Sequence, residues 1–213
     1  VKKLAVLLIV SLFSGCAARQ PQQLLRNQPP WRALAAATRV FTLRGGGLGV
    51  VISGGRILTA HHISGTPVVG WKGGYATRLD SAPEKDLALY QAAGEAPLNY
   101  AVISPRGPEL GEEVYWPVLS QTADLGMARG FVHFKDSESL RISGWFHPGT
   151  SGSPVFRSDG TLVGIMQAGH NWACQGMDGP FQALELEEQL ACLYRMTGFP
   201  PEMYVRRITP DLF

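Results

Sequence analysis

A serine hydroxyl is a weak nucleophile until a base takes its proton, and imidazole, with an ordinary pKa near 6.5, can do so at neutral pH. A carboxylate bonded to the other ring nitrogen fixes the tautomer and stabilises the imidazolium that forms. Three short motifs supply these residue types in chain order. Arg56-Ile57-Leu58-Thr59-Ala60-His61-His62-Ile63 is an apolar run that ends in two histidines. Lys85-Asp86-Leu87-Ala88-Leu89-Tyr90 sets an acid at the head of an apolar strand. Pro148-Gly149-Thr150-Ser151-Gly152-Ser153-Pro154-Val155-Phe156 holds a serine between glycines, and Asp159-Gly160-Thr161-Leu162-Val163-Gly164-Ile165 follows it. Gly149 and Gly152 let the backbone turn sharply around Ser151 and aim N–H groups outward. Such donors can hold the oxyanion of a tetrahedral intermediate, and losing one typically costs about 3–4 kcal/mol. From residue types alone either His61 or His62 could be the base. Asp80 competes with Asp86, although Asp80-Ser81-Ala82-Pro83 reads as a turn.

A set of this kind works only if separate elements hold its members within hydrogen-bond reach. From Thr38 onward the chain runs in short β-branched and aromatic stretches bounded by Gly, Pro, Asn or Asp. Strands are expected over 38–43, 47–52, 56–60, 67–71, 74–79 and 86–91. After the connector Ser104-Pro105-Arg106-Gly107-Pro108, more are expected over 112–118, 127–134, 139–143, 153–157, 161–168 and 179–184. Six strands twice over point to an all-β chain of two six-stranded antiparallel β-barrels, residues 38–104 and 105–184, because closure removes exposed edges. Sandwiches of similar length would give the same pattern. One helix is expected over 185–196, with Leu186, Leu190 and Leu193 at helical spacing, ending at Thr197-Gly198 and Pro200-Pro201. It opens a C-terminal helix and tail, 185–213.

The chain has 213 residues, 45% hydrophobic and 17% charged, which is a globular balance. Glycine at 25 of 213 residues, about 12% against the roughly 7% of average usage, favours tight turns between strands. Of the 19 basic residues Lys2 and Lys3 stand at the extreme N-terminus, so the remaining 17 balance 17 acids and argue against a nucleic-acid partner. No His or Cys spacing resembles a zinc site, and His133, His147 and His170 read as surface or pocket residues; neither metal nor cofactor is expected. Lys2-Lys3 precede a ten-residue apolar stretch, Leu4–Phe13, too short to span a bilayer and suited to a signal-peptide core. Ser14-Gly15-Cys16-Ala17 resembles the lipobox of bacterial lipoproteins, which implies removal of residues 1–15, lipid on Cys16 and a polar tether over 16–37. Ordinary cleavage after Ala18 is the competing reading, giving a secreted or periplasmic soluble protein. In an exported chain Cys174 and Cys192 could pair as a disulfide or stand as unpaired core thiols.

Taken together, the three motifs resemble those of trypsin-like serine proteases of the chymotrypsin fold, in the style of the bacterial high-temperature-requirement proteases and glutamyl endopeptidases, here without an appended peptide-binding domain. The likeness covers roughly 38–184. It implies His62 as base, Asp86 as orienting acid, Ser151 as nucleophile, and the N–H groups of Gly149 and Ser151 as the oxyanion hole, in a cleft between two barrels. By the same likeness Trp145 and Phe146 precede the oxyanion loop and Gln167-Ala168-Gly169 form the strand that pairs with substrate. Thr150 stands where zymogen-activated members carry an aspartate, so activation by N-terminal insertion is not expected. An α/β-hydrolase is set aside: Ser153 occupies its required glycine position, a strand rather than a helix follows, and the motif order is reversed. The expected protein is a serine endopeptidase acting on peptides or proteins through an acyl-enzyme. It is expected to be membrane-attached through its N-terminal lipid, as an outer-membrane lipoprotein facing the periplasm. A protease-like binding module that lacks turnover is the other class. Cleavage specificity, natural substrate and oligomeric state are not legible.

Overall fold

Alternation of apolar residues along a strand gives it one buried face, whereas a strand with apolar layers on both sides is buried at every residue. The second kind runs through the centre of this chain. The computed structural model describes residues 29–43, 45–94, 99–119, 125–144, 149–169 and 202–210. Strands β1 (Ala37–Thr42), β2 (Gly45–Ile52), β3 (Arg56–Ala60), β4 (Val68–Trp71), β5 (Gly74–Ala82) and β6 (Leu87–Ala92) close an antiparallel barrel in the order β1-β2-β3-β6-β5-β4. Strands β7 (Glu113–Leu119), β8 (Leu125–Lys135), β9 (Ser139–Ser143), β10 (Pro154–Arg157), β11 (Leu162–Gly169) and β12 (Glu202–Arg207) close a second, β10-β11-β12-β9-β8-β7. The all-β fold of two closed six-stranded barrels is therefore as expected, and the sandwich is excluded.

In β2 the residues from Gly47 to Ile52 are all buried. Val51 faces the interior of the first barrel with Ile57, Ala88 and Tyr90, while Val50 and Ile52 join an apolar layer between the barrels. Leu58, Leu87 and Leu89 meet Phe156, Leu162, Ile165 and Ile208 in that layer. The second barrel fills its own interior with Trp116, Val132, Ile142, Val155, Val163, Met166, Met203 and Val205. The connector stitches the two together, Ala101 N–H donating to the Val51 carbonyl and Ser104 N–H to the Leu162 carbonyl, each at 2.8 Å. Near the rim of the second barrel Arg157 grips Glu112 through Nε–Oε1 at 2.6 Å and Nη2–Oε2 at 3.2 Å, a two-point charge-assisted contact.

One segment differs from the sequence reading. The strand that closes the second barrel is β12, in the stretch taken as tail; residues 179–184 and the helix over 185–196 lie outside the described residues, as do Cys174 and Cys192. In β12 Met203 and Val205 are buried and alternate with half-buried Glu202, Tyr204 and Arg206, a period-2 pattern hidden because Pro200-Pro201 reads as a stop. At the end of the stretch read as a tether, one or two helical turns are expected over 31–37 from the sequence, and helical turns are found. Helix α1 (Pro29–Ala33) and a 3₁₀ turn (Leu34–Ala36) lead into β1, with Ala36 buried in the layer between barrels because its small side chain fits there.

Truncating Phe156, fully buried between the barrels, should leave a cavity that neither barrel can close alone. Phe156→Ala is expected to lower the unfolding free energy by about 3–5 kcal/mol, seen as a lower midpoint in chemical denaturation.

Candidate functional site

Helix α2 (His61–Ser64) begins where β3 ends, so the end of a rigid strand aims the histidines. The Ser64 hydroxyl donates to the Ala60 carbonyl at 3.0 Å, and the Tyr90 hydroxyl donates to the Thr66 carbonyl at 2.8 Å, fixing the turn from both ends. Asp86 lies one residue before β6, after a 3₁₀ turn over Pro83–Lys85 whose Pro83 carbonyl accepts its N–H at 3.0 Å. Its backbone is left-handed at φ 50°, the one non-glycine with positive φ among the described residues. That conformation is costly outside Gly, Asn and Asp, and it is held by the bonds around it. The His61 N–H donates to the Asp86 carbonyl at 3.1 Å. The Asp86 carboxylate takes the His62 N–H on Oδ1 at 2.9 Å and the ring Nδ1–H on Oδ2 at 2.8 Å. With Nδ1 as donor to a carboxylate, Nε2 is the ring's acceptor.

Geometry separates the competing residues. Among the described residues the His61 Nδ1 is buried without a partner, and Asp80, exposed on β5, accepts the neighbouring Ser81 N–H at 2.7 Å. Neither meets the other motifs as His62 and Asp86 meet each other.

Ser151 enters from the second barrel on a turn locked on both sides. Its carbonyl accepts the Leu48 N–H of β2 at 2.8 Å, and the next N–H, of Gly152, donates to Met166 of β11 at 2.8 Å. Buried Ser153 donates its hydroxyl to the Pro117 carbonyl of β7 at 3.0 Å. Gly149 and Gly152 both have positive φ, 87° and 79°. A side chain at Gly152 would also place its Cβ 2.0 Å from the Leu48 carbonyl oxygen. Gly47 permits the same close approach from β2, since a Cβ there would lie 2.5 Å from the Ser151 oxygen and 2.7 Å from Ile63 Cδ1. Ile63, the residue after His62, thus touches the turn that carries Ser151. Among the described residues no hydrogen bond joins the Ser151 hydroxyl to His62, and neither the Gly149 nor the Ser151 N–H donates to a described carbonyl.

Of the residues expected along the substrate, Ala168 and Gly169 lie on β11, paired with Tyr204 and Met203 of β12. Gln167 has a contact that its motif does not disclose. Its side-chain amide donates to the Lys85 carbonyl, tying the second barrel to the turn that holds Asp86. Trp145, Phe146 and Cys16 lie outside the described residues. The Leu48, Gly47 and Ile63 contacts were not visible in the sequence, because they join segments roughly 90 to 100 residues apart.

The architecture is that of solved serine proteases. The inactive form of the Mycobacterium tuberculosis protease Rv3671c superposes with a TM-score of 0.61 at 15% identity, covering 90% of each chain. A human pathogenic astrovirus serine protease gives 0.59 at 19% identity, covering 84% of this chain and 93% of its own. A serine endoprotease of Yersinia pestis gives 0.54 at 22%, covering 71% and 58%. No curated protein matches the sequence. A family model, the trypsin-like peptidase domain, matches residues 47–165, which is more than half of the chain and includes all three motifs. The chain belongs to the trypsin-like peptidase family.

Because φ and space both exclude a side chain at Gly152, Gly152→Ala should force the serine turn away from β2. The expected result is loss of well over 1 kcal/mol of stability together with activity, measured by denaturant titration and peptide hydrolysis.

Proposed function

We propose that the protein is a serine endopeptidase in which His62, Asp86 and Ser151 act as one unit. The observation that carries this reading is the 2.8 Å bond from the His62 ring to an Asp86 held in a left-handed turn, with Nε2 left as acceptor and the next residue, Ile63, against the Ser151 turn. Nε2 takes the Ser151 hydroxyl proton as Oγ attacks the scissile carbonyl carbon. The resulting oxyanion is held by the N–H groups of Gly149 and Ser151, which donate to no described carbonyl. Collapse expels the amine, which receives the proton from His62, and water then cleaves the acyl-enzyme by the same steps in reverse. Catalytic hydrogen bonds are often long without substrate, which accommodates the missing Ser151–His62 bond. That missing bond is also what favours the second reading, a protease-like module that binds peptides without turnover.

The chain is further proposed to be exported and held at the bacterial outer membrane by lipid on Cys16, facing the periplasm. The support is the basic and apolar leader followed by Ser14-Gly15-Cys16-Ala17. Among the described residues no helix is long and apolar enough to cross a membrane. A single acyl chain binds only marginally, so stable attachment requires the several chains of a bacterial lipoprotein. Cys16→Ser is expected to release the protein from membrane fractions. Unchanged partitioning, or a mature N-terminus at Arg19, would replace lipidation with ordinary secretion.

Casein or peptide hydrolysis tests the unit. Ser151→Ala, His62→Ala and Asp86→Asn should each lower kcat/KM by about 10⁴-fold or more with the fold intact, and the triple variant should be little worse than Ser151→Ala alone. Hydrolysis that survives Ser151→Ala would sink the assignment.

A further inference from the structure

We infer that Gln167 is a positioning residue: from the second barrel it holds Asp86, and through Asp86 the His62 ring, so its side chain serves the acid rather than the substrate. This deepens the peptidase reading above and rests on it.

The strand register singles the residue out. β11 pairs Met166 with Val205 and Ala168 with Tyr204 of β12, so Gln167 between them has no partner residue and is the extra residue of a β-bulge. Bulges turn a side chain out of the alternation of its strand, and they recur beside active sites. Here the re-aimed side chain leaves its own barrel and donates its amide N–H to the Lys85 carbonyl. Only the nitrogen end of the amide can make this bond, because a carbonyl accepts and does not donate.

What the bond fixes follows from the planar trans peptide between Lys85 and Asp86. Its two polar ends point in opposite directions. Gln167 holds the carbonyl end, and the Pro83 carbonyl holds the N–H end at 3.0 Å. Rotating this plane changes ψ of Lys85 and φ of Asp86 together, and the Asp86 φ of 50° is one that an L-residue resists. Without Gln167 one end of the plane is released, and the backbone relaxes toward negative φ. The carboxylate then moves with it, away from the His62 N–H and ring Nδ1–H that it receives at 2.9 and 2.8 Å.

The residue before Gln167 ties in the nucleophile. The Met166 carbonyl accepts the Gly152 N–H at 2.8 Å, and the Met166 N–H donates to the Ser153 carbonyl at 2.9 Å. The dipeptide Met166-Gln167 therefore holds the serine turn by its main chain and the acid turn by its side chain. A displacement of about 1 Å between reacting groups can cost about 100-fold in rate.

The test uses full-length protein carrying Gln167→Leu and, separately, Gln167→Glu. Both side chains fill nearly the same space, and at neutral pH neither donates a hydrogen bond. In each variant kcat for peptide hydrolysis should fall about 10- to 100-fold while KM stays where it was, the signature of an interaction that does not hold substrate. A second readout needs no turnover. The isotope-edited proton resonance of the His62 Nδ1–H, identified by its absence from His62→Ala, should shift or broaden in both variants while the backbone amide spectrum keeps the fold. Should Gln167→Leu fail to fold, Gln167→Asn, which falls one carbon short of the Lys85 carbonyl, carries the same two readouts. A raised KM at unchanged kcat would assign the side chain to substrate and overturn the proposal. So would a His62 resonance that stays in place, because Asp86 would then be held without Gln167. Casein hydrolysis by the unmodified protein judges the peptidase reading separately. With no hydrolysis there and a His62 resonance that moves in the variants, Gln167 keeps its positioning role and the peptidase is lost.

Discussion

The hydrogen bond from the Leu48 N–H to the Ser151 carbonyl, at 2.8 Å, is the contact on which the rest of the molecule depends. It crosses from one barrel to the other. His62 and Asp86 belong to the first barrel and Ser151 to the second, so the proposed chemistry exists only if the barrels keep one relative position. Three features enforce that position. Gly47 and Gly152 admit an approach that any Cβ would block. The apolar layer of Leu58, Leu87, Leu89, Phe156 and Ile165 has no other place to be buried. The connector adds backbone bonds at Ala101 and Ser104, and the Gln167 amide adds a bond to the Lys85 carbonyl beside the acid.

This arrangement explains why the residues around the serine turn are buried polar groups rather than apolar ones. Thr59 donates to the Leu48 carbonyl at 2.6 Å, and Ser153 to the Pro117 carbonyl at 3.0 Å, both fully buried. Each gives a buried hydroxyl a backbone acceptor, and leaving such a buried group unpaired costs about 1–3 kcal/mol. The serine turn is thus fastened to β2, β7 and β11 at once, and preorganisation of this kind keeps a reacting group within the narrow geometry that catalysis tolerates.

Much of the fold was legible because strand periodicity is local. Ile57, Leu58 and Tyr90 announce their strands through neighbours alone, and the three motifs announce residue types in a recognisable order. What stayed hidden depends on distance or on handedness. β12 has only two buried apolar residues, Met203 and Val205, and a proline pair in front of it, so its role in closing the barrel appears only once β9 and β11 are in place beside it. Asp86 reads as the first residue of a strand, yet it is the left-handed residue before one, a conformation that the 3₁₀ turn and His61 impose from outside. Gln167 reads as one more residue of a substrate-facing strand, while its partner lies 82 positions away.

The most direct measurement of the central claim is the mass of the intact protein, and of its peptides, after reaction with a fluorophosphonate. A serine made nucleophilic by His62 and Asp86 takes up one phosphonyl group per chain, on the peptide containing Ser151, and loses that uptake when His62 is replaced by alanine. An unmodified Ser151 in folded protein, or an adduct that forms equally without His62, would contradict the account.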